Sequence, residues 1–194
     1  MARFPVFFVT AFVVAIALIG LALWPLRPVS VGPVEARATG TGLILDVGAL
    51  AQIESADGFP VTRAPGPRGD QAGPRLASFS VLAPGARYSK GARLWLGPKT
   101  QEALIGKNVR VTILARSIPN TPAQNMAFGL VTGGPVSWRQ MAVGPNVSPL
   151  TFDWPHSDEP IQGLAFWPAV EGQGLGIEIM AIILQPVSKT ESAS

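Results

Sequence analysis

The sequence predicts an all-β domain, an antiparallel β-sandwich of the jelly-roll type, preceded by one N-terminal transmembrane helix. Three observations carry this. Short apolar runs recur about every ten residues through the body of the chain, with turn residues between them. The 194 residues include 21 Gly and 19 Pro, a load that suits many short strands better than long helices. Phe4 to Trp24 is an apolar run without a single charge.

That run reads FPVFFVTAFVVAIALIGLALW. Its 21 residues span about 31 Å as a helix, close to the hydrocarbon thickness of a bilayer. A lone span in lipid must satisfy its backbone internally, so helix is the expectation. Trp24 stands where an interfacial aromatic would, and Pro25 and Pro28 end the helix. A cleaved signal peptide is the alternative. Its core would be roughly 7–15 residues long, and the small-x-small pattern at Ala36, Arg37 and Ala38 lies well beyond the apolar run. The expected organisation is a tail at 1–3, the membrane helix at 4–24, a Pro/Gly-rich linker at 25–41, the sandwich at 42–187 and a polar tail at 188–194. Arg3 on one flank and Arg27 and Arg37 on the other leave orientation open. The β-rich, charge-poor body favours a periplasmic or extracellular domain.

The elements follow in order. Leu43–Val47 is a short apolar strand. Ala64–Pro74 is a loop by its Gly and Pro. Leu76–Leu82 alternates, with Phe79 and Val81 on one face. Ala92–Leu96 is a further strand, and Pro98–Leu104 suits a helical turn. Val109–Arg116 is the clearest strand: Val109, Val111, Ile113 and Ala115 share one face, Arg110, Thr112, Leu114 and Arg116 the other. Strands are then expected at Met126–Thr132, Val136–Val143, Pro149–Trp154 and Ile161–Trp167. Gly174–Gln185 reads as a long buried strand with a bulge; its β-branched residues and flanking glycines argue against a helix.

Composition narrows the chemistry. Charged residues make up 14% of the chain, against roughly 25% in an ordinary soluble domain. There is no cysteine, which excludes disulfides, thiolate metal sites and cysteine nucleophiles. Residues 25–100 hold nine basic and five acidic side chains, and residues 101–194 hold five and seven. The basic stretch Arg63, Arg68, Arg75, Arg87, Lys90 and Arg93 suits lipid phosphates, an acidic polymer or a plain solvated surface. Nucleic acid is not expected, because no dense basic run with interleaved aromatics exists.

The second half carries a resemblance. LIGKNVRVTILARS (104–117), NMAFGLVTG (125–133), VSW (136–138), LTFDWP (150–155), LAFWPAV (164–170) and LGIEIMAIILQP (175–186) together resemble the galactose-binding-like jelly-rolls, which include many carbohydrate-binding modules. The likeness covers residues 92–187 and is one of strand order. It implies a sandwich that binds glycans through aromatic side chains, with Trp138, Trp154 and Trp167 as candidates. No sugar-binding motif matches residue by residue.

An indole face can stack on a sugar ring while Arg139 and Gln140 bind hydroxyls; the same tryptophans also suit a core. Asp153, Asp158 and Glu159, near His156, form a weak oxygen-ligand candidate for a hard cation or an ordinary turn. No G-x-S-x-G elbow exists for a triad through His156. Nothing sets the spacing of Glu171 and Glu178 for glycoside cleavage, and no phosphate loop matches. Arg68, Gly69 and Asp70 spell an adhesion tripeptide that chance also supplies. The expectation is a non-catalytic, cofactor-free envelope protein, anchored in the bilayer through Phe4–Trp24, that binds a polysaccharide or an envelope protein. A structural accessory subunit of a membrane complex is the alternative, and an envelope hydrolase the last reading.

Overall fold

The computed structural model describes residues 32–56, 58–62, 73–79, 91–155, 158–170 and 174–187. The expected membrane helix at Phe4–Trp24, the Arg68–Asp70 tripeptide, His156, Glu171 and the tail from 188 lie outside the described residues. Among the described residues no helix is long and apolar enough to cross a membrane.

Eleven strands and two short helices are described: β1 Arg37–Thr39, β2 Gly42–Leu45, α1 Val47–Leu50, β3 Val61–Thr62, β4 Arg75–Ser78, β5 Ala92–Trp95, α2 Pro98–Leu104, β6 Asn108–Ser117, β7 Asn125–Val131, β8 Ser137–Ala142, β9 Ser148–Trp154, β10 Gly163–Trp167 and β11 Leu175–Val187. They form two antiparallel sheets. The seven-stranded sheet is organised on β11, with β6 and then β9 on one side. On its other side β2 and β4 share the length of β11, and β1 and β3 lie beyond them. The four-stranded sheet runs β5-β10-β7-β8.

Period-two patterning explains the central strands. Along β6 the alternation buries Val109, Val111, Ile113 and Ala115 and turns Arg110, Thr112, Leu114 and Arg116 to the other side. In β11 the register shifts between Ile179 and Ala181. One extra residue, Met180, changes the phase. Ile177 and Ile179 are buried before the bulge, and Ile182 and Leu184 after it. Without the bulge the second pair would point away from the core. Between the sheets Phe128 stacks on Phe152 with centroids 4.9 Å apart and tilts against Phe166 at 5.5 Å.

Two expectations need correction. The strand at Leu76–Leu82 turns Leu76 and Ser78 inward, and Phe79 is 56% exposed. Pairing of Leu76 with Ile177 sets that phase, so Phe79 falls outside; Val81 is outside the described residues. The sandwich also takes up residues before 42. Val34 bridges Leu96 in parallel, and β1 pairs with β2. Glu35 then supplies the cap that α2 lacks locally, because its N-cap is Gly97. Its carboxylate accepts from Thr100 Oγ1 at 2.8 Å and from the Thr100 and Lys99 amides at 2.9 and 3.2 Å. A Cβ at Gly97 would strike that carboxylate and displace it from the cap. In α1 the same task falls to its neighbour Asp46, which accepts from Gly48 and Ala49.

Candidate ligand-binding face

Strand register divides the four-stranded sheet into two faces. Phe128, Phe166, Leu94 and Leu164 point at the larger sheet. Alternation therefore gives the outer face to Arg93 and Trp95 of β5, Gly163, Ala165 and Trp167 of β10, Ala127 and Gly129 of β7, and Trp138 and Gln140 of β8. Glu54 bridges Arg93 at the β5 edge. One row across the sheet thus reads Glu54, Arg93, Ala165, Gly129, Trp138. Four strand spacings make it about 19 Å long.

The middle of this face is made of small residues. Ala127 and Ala165 are buried although they point away from the core between the sheets. A Cβ on Gly129 would collide with Val136, and one on Gly91 would sit 2.9 Å from Cη2 of Trp138. The Trp138 indole thus reaches from β8 to the residue preceding β5. Gly91 itself has φ +60°, a left-handed conformation that glycine adopts without cost. Trp138 is half-buried and Gln140 exposed. At the far end Trp95 is held in place: its Nε1 donates to Glu54 Oε2 at 2.9 Å, and the Arg93 guanidinium lies 5.5 Å from its ring centroid.

The other residues expected at the site fall elsewhere. Trp167 is 1% exposed and offers no surface to a ligand; it packs edge-on against Phe59 at 4.5 Å and Trp138 at 5.8 Å. Trp154 and Arg139 sit on β9 and β8, at the margins of the two sheets, where Arg139 stacks over the Trp154 ring at 5.0 Å. Arg139 has the phase of Phe128, so it closes the side of the sandwich and does not share the face of Trp138 and Gln140. Asp153 pairs with Arg110 at 2.7 and 3.1 Å, and that hydrogen-bonded guanidinium holds its carboxyl below the usual range. Glu159 accepts from the Gly133 amide at 3.2 Å. Together with Asp158 they make no cation site: among the described residues no three of His, Cys, Asp and Glu gather to hold a metal. Glu178 is 1% exposed on the outer side of the larger sheet, bound by Arg116 at 2.8 Å with Arg75 at 3.8 Å. It is a structural ion, not half of an open carboxylate pair.

Sequence reasoning missed Trp95, Arg93 and Glu54. The signal for the first two was present, because ARLWL alternates and places Arg93 opposite in phase to Leu94. Glu54 is brought in by a single bridge from a distant part of the chain, for which no local pattern exists.

The face can stack a sugar ring on indole and bind hydroxyls through an amide that both donates and accepts. No family model matches the sequence, and no curated protein matches it either. The fold, by contrast, matches solved structures. The apo CBM1 module of BiXyn10A superposes with a TM-score of 0.50 at 10% identity, covering 77% of this chain and all of the module. The CBM22-1 xylan-binding domain of Paenibacillus barcinonensis Xyn10C gives 0.49 at 12% identity over 78% of this chain and all of the domain. The carbohydrate-binding module CBM6cm-2 of Cellvibrio mixtus lichenase 5A, in complex with cellotriose, gives 0.39 at 10% identity over 76% of this chain and 99% of the module. The chain thus has the β-sandwich fold of the carbohydrate-binding modules.

Proposed function

We propose that this chain is a non-catalytic glycan-binding protein of the cell envelope. Its ligand is a polysaccharide, held on the outer face of the four-stranded sheet. The observation that carries this is the half-buried Trp138 indole on that face, in the same phase as the exposed Gln140. Stacking supplies affinity without a pocket, and the amide supplies orientation. Glu54 and Arg93 form the opposite end of the row that ends in Trp138, with Trp95 bonded to Glu54 beside them. The kinship of fold to carbohydrate-binding modules supports the reading by analogy.

Anchoring rests on the uncharged run Phe4–Trp24. It tethers the sandwich at the membrane, with the binding domain on the periplasmic or extracellular side. A reporter fused after Ser194 should be active outside the cytoplasm only; activity inside would reverse the topology. For the ligand, the full-length chain is screened in detergent on an array of plant, bacterial and fungal polysaccharides. Retention on at least one polymer is expected. No retention on any of them would move the weight to the structural accessory subunit.

A further inference from the structure

We infer that Trp167, though sealed from solvent, is the residue that positions the Trp138 platform, and that Trp167 is itself packed against Phe59. The inference rests on the reading of Trp138 as the stacking surface and adds to it the means by which that ring is held.

Three observations place the ring. Phe59 is buried and meets Trp167 at 4.5 Å with planes at 64°. Trp167 meets Trp138 at 5.8 Å with planes at 84°. These are edge-to-face contacts within the favoured range of ring separations. The far rim of the Trp138 indole abuts Gly91. The ring is therefore stopped at one end by a glycine that has no room for a Cβ and set at the side by the edge of Trp167. The strands add to this: Trp167 is opposite Ala127, and Ala127 is opposite Gln140. One short row thus links the buried indole to the exposed amide.

A tryptophan on an edge strand such as β8 has more than one staggered rotamer open to it. Fixing one of them before ligand arrives removes an ordering cost from binding. That is the part assigned to Trp167. Its bulk fills the gap beside Trp138, and its orientation sets which way the platform faces.

The test separates positioning from binding and from simple destabilisation. The full-length chain is labelled with 5-fluorotryptophan, and the resonance that disappears in Trp138→Phe is that of Trp138. In Trp167→Leu this resonance should sharpen and move toward the position of free indole, while Trp167→Phe, which keeps an aromatic edge, should leave it close to the wild type. Affinity for soluble xylan and hydroxyethyl cellulose is measured on the same samples, at a temperature where far-UV circular dichroism shows all variants folded. Trp167→Leu should weaken binding about five- to tenfold, and Trp167→Phe should restore most of it. An unmoved Trp138 resonance in Trp167→Leu overturns the inference even if neither polymer binds. Unchanged affinity in Trp167→Leu, alongside loss of binding in Trp138→Ala, overturns it while leaving the platform intact. Binding that survives Trp138→Ala overturns the platform itself.

Discussion

The two sheets of the sandwich turn very different outer faces to their surroundings. On the seven-stranded sheet the polar side chains are engaged with one another across strands. Asp153 pairs with Arg110, Thr151 Oγ1 lies 3.0 Å from Thr112 Oγ1, and Glu178 is held by Arg116. On the four-stranded sheet the centre is Ala127, Gly129, Gly163 and Ala165, with Trp138 on the neighbouring strand reaching Gly91. On the first face these groups are largely paired with one another, although Arg75 Nε has no hydrogen-bond partner among the described residues. The second presents aromatic surface and an exposed Gln140 with no side-chain hydrogen bond among the described residues. The difference teaches where affinity can arise: partners that are already paired must be separated before they bind anything else.

Variants can break or sharpen that contrast, beginning with the core that supports both faces. Phe128→Ala removes the ring that spans the two sheets, packed on Phe152 and Phe166. It should cost about 3–5 kcal/mol in urea unfolding and disturb both faces together. Loss on only one face would mean that the sheets are not joined by a common core.

Next is Glu178→Gln, which leaves the guanidiniums of Arg116 and Arg75 beside a neutral amide. Breaking a fully buried pair costs about 3–5 kcal/mol, but these arginines are about one-third exposed, so water replaces part of the loss. A cost of about 1–2 kcal/mol with unaltered polysaccharide binding is expected.

Glu35→Gln tests the cap on α2 and should cost about 1 kcal/mol. Burial opposes ionisation of Glu35, but the hydroxyl and amide of Thr100 and the amide of Lys99 outweigh it, so its pKa is lowered. The sign follows from linkage. A carboxyl whose folded pKa lies below its unfolded value stabilises fully above the ordinary range near about 4.3, and that share is lost as pH falls through the folded value. The variant should therefore show a shallower loss of stability in acid than the wild type; parallel acid curves would contradict the cap.

Arg110→Ala should have the smallest effect. Its bond to Asp153 is bidentate but exposed on both partners, 43% and 63%, so less than about 1 kcal/mol is expected. Salt should reduce the difference further.

Much of the fold was legible because alternation is local. Val109 to Ala115 reads as a half-buried strand, and the GIEIMAIIL run carries its bulge openly, since its apolar phase changes at Met180. The phase of Leu76 to Phe79 was not legible, because the partner strand sets it and that partner comes late in the chain. The site divides in the same way. Trp138 and Gln140 share a strand and a phase, so their common face followed from spacing of two. Arg139 between them has the opposite phase, which adjacency in sequence concealed. For Trp167 both a core role and a ligand role stayed open, because β10 is apolar throughout, and a strand without alternation gives no signal of which face is covered. Glu54 and Glu35 act on elements far away in the sequence, which no local pattern encodes.

The claim that the two faces differ in function is tested most directly by affinity electrophoresis of three full-length proteins through gels containing a bound polysaccharide. The wild type, Trp138→Ala on the four-stranded sheet and Thr112→Ala on the seven-stranded sheet are run side by side. The account predicts that the wild type and Thr112→Ala are retarded alike, while Trp138→Ala loses at least about tenfold in affinity and migrates as in a plain gel. Retardation of Trp138→Ala equal to the wild type, with loss in Thr112→Ala, would place the binding face on the other sheet and contradict it.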